Sequence, residues 1–239
     1  MRLVSACAVL VALMAILLPP AYAAPTRQEA DARAILDASA RAMDAAQSMR
    51  FSGAMDMSFS VGDAPKAMNI PMAGTYQAPD RMQMQMQMPD IGTSMEMIMV
   101  GGQVWTRSGQ GAWQSKAVER DGYASPLGMS HSDWFSGFSN PVATDIGNTY
   151  RITAGLDISA ALGAGFAGPL GPGTAGSSVD TSGVPAEVTL TIDKATSYMT
   201  SMRMDLAIPG PDRSTTISMT MNMSFTDFNA VAGEILPPA

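Results

Sequence analysis

The chain has 239 residues, 46% of them apolar and 15% charged, with 22 Gly and 16 Pro. That is too apolar for disorder, rich in turn formers, and long enough for one sizeable core. A formal net charge of −7 without a basic stripe argues against a nucleic-acid partner, and the dispersed acidity serves solubility.

The N-terminus predicts a secretory signal over residues 1–23. Arg2 is followed by an uncharged run from Leu3 to Leu18, then Pro19-Pro20, then the small-x-small sequence Ala21-Tyr22-Ala23. The apolar run is shorter than the ~20 residues that a membrane-spanning helix needs. The mature chain is therefore expected to start near Ala24 and to work in the periplasm, the cell envelope or the extracellular space. Cys7 is the only cysteine. Val4-Ser5-Ala6-Cys7 looks like a lipoprotein cleavage box, but the apolar region follows the cysteine instead of preceding it, so lipidation is not expected. Cleavage after Ala23 leaves a chain with no disulfide. It also removes Arg2, which moves the net charge from −7 to −8.

Residues 24–239 read as a single domain. Arg27 to Ser48 predicts an amphipathic helix, with Ala30, Ala34, Ile35, Ala38, Ala42, Met43 and Ala46 near a 3.6-residue spacing and Thr26 as N-cap. Short strands follow from Phe51, from Ala67 to Tyr76, over Arg81–Met88, from Thr93 to Val100, from Val104 to Arg107 and from Ala112 to Lys116. They are separated by turns such as Gly62-Asp63-Ala64-Pro65 and Gly101-Gly102. Pro71 places the second strand at an edge or a bulge. The stretch from Asp121 to Asn140, with Trp134, Phe135 and Phe138, predicts a helical insert with loops. Tyr150 to Thr153 reads as a strand and Asp157 to Leu162 as a helical turn. The Gly-, Pro- and Ser-rich stretch 166–183 reads as a mobile surface loop. Three strands then close the chain, from Glu187 to Asp193, Tyr198 to Ile208 and Thr215 to Asp227. The fold class expected is α+β and β-dominated: an antiparallel sheet of about nine or ten strands, curled around the N-terminal helix and the central insert.

The distinctive feature is methionine at strand spacing. Successive strand side chains point to opposite faces. Met82, Met84, Met86 and Met88 therefore share one face, with Gln on the other. Met95, Met97 and Met99 repeat the pattern, as do Met55 and Met57, Met202 and Met204, and Met219, Met221 and Met223. Phe51, Trp105 and Phe225 are expected as rigid walls of the same face. Methionine is flexible and polarizable, so it packs against many apolar shapes and specifies none of them strictly. The sheet face offers more apolar positions than one Ala-rich helix covers. The excess predicts a cavity, and an acyl chain is its natural occupant, since each buried CH₂ gains about 0.8 kcal/mol.

Two other readings of these residues stand beside it. Thioethers are soft ligands for Cu(I), and Met129 lies two residues from His131. The spacing follows strand alternation, however, and not the short flexible Met/His runs of copper sites, so no metal ligand is assigned. The same sheet could also serve a sensor or interaction domain whose apolar face is fully plugged by its own helix. No enzyme is expected and no cofactor is implied. His131 is the only histidine, it reads as a surface-loop residue, and no nucleophile elbow, phosphate loop or dinucleotide fingerprint is present.

Several local sequences carry a family resemblance. They are Ser48-Met49-Arg50-Phe51-Ser52-Gly53 after the helix, Gly74-Thr75-Tyr76-Gln77-Ala78-Pro79-Asp80-Arg81, and Val100-Gly101-Gly102-Gln103-Val104-Trp105 followed by Trp113. Thr191-Ile192-Asp193-Lys194-Ala195-Thr196 and Phe225-Thr226-Asp227-Phe228-Asn229 complete the series. In this order they resemble the LppX/LprG-type exported lipoproteins and, more distantly, the LolA/LolB lipoprotein carriers. The resemblance covers most of the mature chain. It implies a half-barrel curved around helices, with an apolar cavity for the acyl chains of lipids or lipoproteins, and no catalytic residues. The LppX/LprG group carries a lipidated cysteine after its signal segment. No cysteine stands near Ala24 here, which fits a soluble carrier of the LolA kind. The partner implied is a lipid or acylated lipoprotein, met by a monomer in contact with a membrane surface.

Overall fold

A computed structural model describes residues 27–61, 64–117, 131–157, 184–209 and 216–238. The signal segment, Cys7, Met129 and the loop at 166–183 lie outside the described residues, as does the helical turn foreseen beyond Asp157. Helix α1 spans Arg27–Ala45. Eleven strands follow, with a second helix between the sixth and the seventh: β1 Ser48–Val61, β2 Ala64–Gln77, β3 Arg81–Met88, β4 Thr93–Val100, β5 Gln103–Ser108, β6 Gln114–Ala117, α2 His131–Ser136, β7 Phe138–Ile146, β8 Thr149–Asp157, β9 Pro185–Asp193, β10 Met199–Pro209 and β11 Thr216–Thr226. They form one open antiparallel sheet in the order β6-β5-β4-β3-β2-β1-β11-β10-β9-β8-β7. The β-dominated α+β class, with one curved sheet around the two helices, is what the structure shows.

The order joins two meanders. Strands β1 to β6 pair in sequence and β7 to β11 pair in sequence, with residues 158–184 between β8 and β9. The seam between them is β1 against β11, in register from Arg50↔Thr226 to Ser58↔Ser218. Alternation predicts which residues share a face, but this long-range seam decides that both halves share the same one. Strand β7 is an addition to the expected set. Its Pro141 and irregular register between Ser139 and Val142 hid it within the insert.

Pro71 sits in a strand that is interior to the sheet, at a point where that strand is locally an edge. It pairs with Ala54 of β1, and the ladder between β2 and β3 starts only at Met72↔Met86. The first half of β2 is therefore free on the β3 side, where a missing N–H costs no ladder bond.

Helix α1 buries Ala32, Leu36, Ser39, Ala40 and Met43, a stripe at helical spacing that joins the core of the sheet. It packs on α2 and on β7. Beyond β11 the chain runs across the ends of β1 and β2. The Asn229 N–H donates to the Ser48 carbonyl at 2.8 Å, and the Ile235 N–H donates to Gln77 Oε1 at 2.9 Å. Arg81 donates to the Ile235 carbonyl at 2.7 Å and pairs with Glu234 at 2.6 Å. These bonds close one rim of the sheet.

Candidate functional site: a methionine face

The strand registers arrange the inward side chains in rungs across the sheet. One rung runs Met202, Met223, Gly53, Met72, Met86, Met95. The next runs Met204, Met221, Met55, Ile70. A third runs Leu206, Met219, Met57, Met68. On the other side of the first lie Phe225, Phe51, Gly74, Met84, Met97, followed by Met49, Tyr76, Met82, Met99, Val104. Directly opposed residues on neighbouring strands have Cβ atoms about 5 Å apart, so these thioethers meet in rows.

The sequence-derived set is thus largely brought together. Phe51, Met55, Met82, Met84, Met86, Met97, Met99, Met202, Met204, Met219, Met221, Met223 and Phe225 are all buried in one core. Met57, Met88 and Met95 are half-buried against it. Trp105 does not join them. It pairs with Ile98 and Ser115, on the rung that continues through Gln83, Thr75 and Arg50, and so lies on the polar face. Its neighbour Val104 holds the inward position. A two-residue period leaves no choice: in β5 the inward residues are those opposite Met99 and Met97. Met49, Met68, Met72, Tyr76 and Met199 belong to the face and were not anticipated. Their parity was readable, but Pro71 concealed it in β2, and Met49 and Met199 sit at strand starts.

The face has two halves. In β8 and β9 the large inward residues are Ile152, Leu156, Val188, Leu190 and Ile192, branched side chains, with Ala154 and Ala186 between them. Methionine dominates in β1, β3, β4, β10 and β11. Helix α1 packs on α2 and on β7, the edge strand beside β8, and its buried residues join the core that holds the methionines. Trp134, Phe135 and Phe138 fill that corner, with ring centroids 4.8–5.5 Å apart.

Two polar clamps hold α2 to α1. At one end His131 and Ser132 converge on Asp44: the His131 N–H donates to Oδ1 at 3.1 Å, Nδ1 lies 2.8 Å from the same oxygen, and the Ser132 hydroxyl donates to Oδ2 at 3.2 Å. A carboxylate only accepts, so Nδ1 carries the proton. At the other end, three helical turns earlier, Arg33 donates to the carbonyls of Phe135 and Phe138. His131 is 3% exposed, so its expected place on a surface loop is corrected. Asp44 recruits it to the inner layer, a partnership across 87 residues that no local pattern announces.

Burial pushes the His131 imidazole below the 6.5 of an ordinary histidine, against the pull of Asp44. Burial opposes the Asp44 charge too, but the hydrogen bonds from His131 outweigh it and hold the carboxyl below 3.8. Both folded values lie under the unfolded ones. Stability is therefore greatest above about pH 6.5 and falls as acid is added, because the unfolded chain takes up a proton that the folded imidazole refuses. A second loss follows below 3.8. Urea midpoints measured between about pH 5 and 8 should rise with pH in the parent chain, and His131→Gln should flatten that rise. An unchanged slope in the variant would remove His131 as its source.

Two open clefts lie among the described residues, and outward-pointing side chains account for most of their lining. The larger, about 790 Å³, is bordered by Asn140, Thr153, Glu187, Asp205 and Thr220, and the smaller, about 350 Å³, by Ser52, Thr189, Ser201 and Arg203. Arg203 donates to Asp205 at 2.6 and 2.8 Å and holds its carboxyl below the ordinary range. No group of three or more His, Cys, Asp or Glu among the described residues is placed to hold a metal ion. No described helix is long and apolar enough to cross a membrane.

No family model matches the chain, and no curated protein does. Among solved structures it is similar to LprF from Mycobacterium bovis, at 15% identity and a TM-score of 0.49, over 90% of this chain and 99% of that one. It is similar also to the lipoprotein LppX of Mycobacterium tuberculosis, at 13% identity and a TM-score of 0.48, over 85% and 98%. A LolA superfamily protein from Nitrosomonas europaea matches at 9% identity and a TM-score of 0.31, over 85% and 94%. The similar structures thus include the LppX and LolA types that the order of the sequence motifs resembles.

Proposed function

We propose that this protein is an exported carrier that binds lipids and holds their acyl chains against the methionine half of the sheet. The observation that carries this reading is the division of the inward face. On β8 and β9, beside the edge strand that α1 packs on, the sheet presents Ile, Val and Leu, whose restricted rotamers suit one fixed partner. On β1, β3, β4, β10 and β11 it presents rows of methionine, whose three rotatable bonds let one surface accept chains of different length and branching. Most of the inward methionines are buried among the described residues, so a guest enters by displacing methionine side chains, a change that costs little for an unbranched residue. A chain of about sixteen carbons contributes on the order of 10 kcal/mol by burial before ordering costs, enough for binding without a charged anchor. The signal segment and the resemblance to LppX/LprG- and LolA/LolB-type proteins support an envelope or extracellular place of work and a lipid or acylated lipoprotein as partner.

Native mass spectrometry of the gently purified mature chain tests this. The expected spectrum contains a discrete adduct of lipid mass, lost on delipidation and regained from phospholipid vesicles. A homogeneous apo mass with no uptake of phospholipid would end the proposal. Cu(I) added without oxygen in the same spectrometer separates the soft-metal reading of the opposed thioethers Met204, Met221 and Met55. Stoichiometric copper in place of lipid would favour that reading.

A further inference from the structure

Among the described residues, Ser39, Ser48 and His131 are the fully buried polar residues. Two of them are accounted for: the Ser48 hydroxyl accepts from the Val231 N–H at 3.3 Å, and His131 is held by Asp44. Ser39 is 0% exposed and its hydroxyl has no hydrogen-bond partner. A serine inside a helix ordinarily bonds back to the carbonyl four residues earlier or faces water. This one does neither, and an unpaired buried hydroxyl is retained at a cost in stability.

The position of Ser39 makes that cost informative. Ala32, Leu36, Ser39, Ala40 and Met43 form the inward stripe of α1, and the four apolar members pack in the same core as the sheet methionines. Arg33 and Asp44, which grip α2, lie about a third of a turn around the helix. Ser39 thus faces the sheet and not α2. No Lys or Arg is among the fully buried described residues.

We infer that Ser39 is the polar contact of the acyl site, its hydroxyl donating to the carbonyl oxygen of an acyl ester. This rests on the lipid-carrier reading above. The chemistry selects an ester because it is neutral. An ionised fatty-acid carboxylate would carry its charge into a layer where no buried cation stands among the described residues to compensate it. A hydrocarbon offers no acceptor, and an alkyl ether keeps only the bridging oxygen and lacks the carbonyl oxygen to which the hydroxyl donates. The same ester carbonyl is offered by a diacyl phospholipid and by the diacylglyceryl group of a lipoprotein.

The test compares diacyl phosphatidylcholine with its dialkyl-ether analogue, equal in chain length and head group, in the mature chain and in Ser39→Ala. The mature chain should prefer the ester about fivefold, the discrimination expected of one neutral hydrogen bond. Ser39→Ala should bind both lipids with the affinity the parent has for the ether, and its lipid-free melting temperature should rise. A synthetic diacylglyceryl-cysteine peptide, run as a third arm, should show the same loss in Ser39→Ala if a lipoprotein is the source of the ester. A parent chain indifferent to ester and ether, or an ester preference that survives in Ser39→Ala, would overturn the assignment of Ser39 and leave the carrier reading standing. Failure of the parent chain to bind any of the three would overturn both.

Discussion

Gly53→Val is expected to lower stability by about 3 kcal/mol or to prevent folding altogether. Gly53 occupies an inward position of β1 on the rung between Met223 and Met72. A Cβ there would overlap the Asn222 carbonyl oxygen and stand 2.7 Å from Met223 Sδ. The sulfur can swing aside, but the carbonyl belongs to the β11 backbone and cannot move without opening the seam that joins the two meanders. Glycine at this point lets the strands approach and the sheet bend. Ala54→Val, one residue on and pointing to the other face, is the control and should stay within about 0.5 kcal/mol. Urea unfolding of the two variants gives the comparison. Equal stability of Gly53→Val and the parent would mean that the close approach is not part of the fold.

Phe51→Ala should remove about 4 kcal/mol. Phe51 opposes Phe225 across the seam, both are buried, and its ring lies over Gly74 of β2. The aromatic ring fills the space that the glycine vacates and so braces β1 against its neighbours on both sides. This arrangement predicts coupling. Gly74→Ala in the parent would set a methyl group against the Phe51 ring and the Gln83 carbonyl oxygen. In the Phe51→Ala background the ring is gone and only the carbonyl remains. The cost of Gly74→Ala should therefore be about 1 kcal/mol smaller in that background, which a double-mutant cycle measures. Additive costs would show that ring and glycine do not touch.

Much of the architecture was legible because strand alternation is a local property. The run Arg81–Met88 announces one apolar and one polar face, and the same period in β4, β10 and β11 follows from residues two apart. The turns at Gly101-Gly102 and around Pro89 were readable for the same reason: their backbone requirements are met by the residues that stand there. Helix α1 ends at Ala45, earlier than the apolar spacing suggested, because Ser48 and Met49 pair with Gln77 and Tyr76 and the chain must leave the helix to reach them.

Other features depended on contacts that neighbouring residues cannot report. Trp105 has the composition of a wall residue, yet its parity within β5 was ambiguous in so short a strand, and the register with β4 turned it to the polar side. Pro71 suggested an edge. The strand holding it is interior to the sheet, and Pro71 is tolerated there because the β3 ladder stops one residue short of it and leaves a local edge. His131 became a buried residue only because Asp44, on another element, accepts from it. Ser39 could be placed on the inward stripe of α1 from the sequence, but that its hydroxyl lacks a partner is a property of everything packed around it.

The amino-acid sequence by itself determined the fold class and the methionine character of the faces, since each is encoded by composition or by a period of two or 3.6 residues. Tertiary structure decided that β1 pairs with β11, so that methionines from both ends of the chain lie in common rungs, and that α1 docks on α2 and β7 with its buried stripe in the same core. The physical reason is the same for both. Pairing across more than 150 residues and the docking of a helix on a sheet are settled by register and by buried polar partners such as Asp44 and His131, and those form only when distant segments meet.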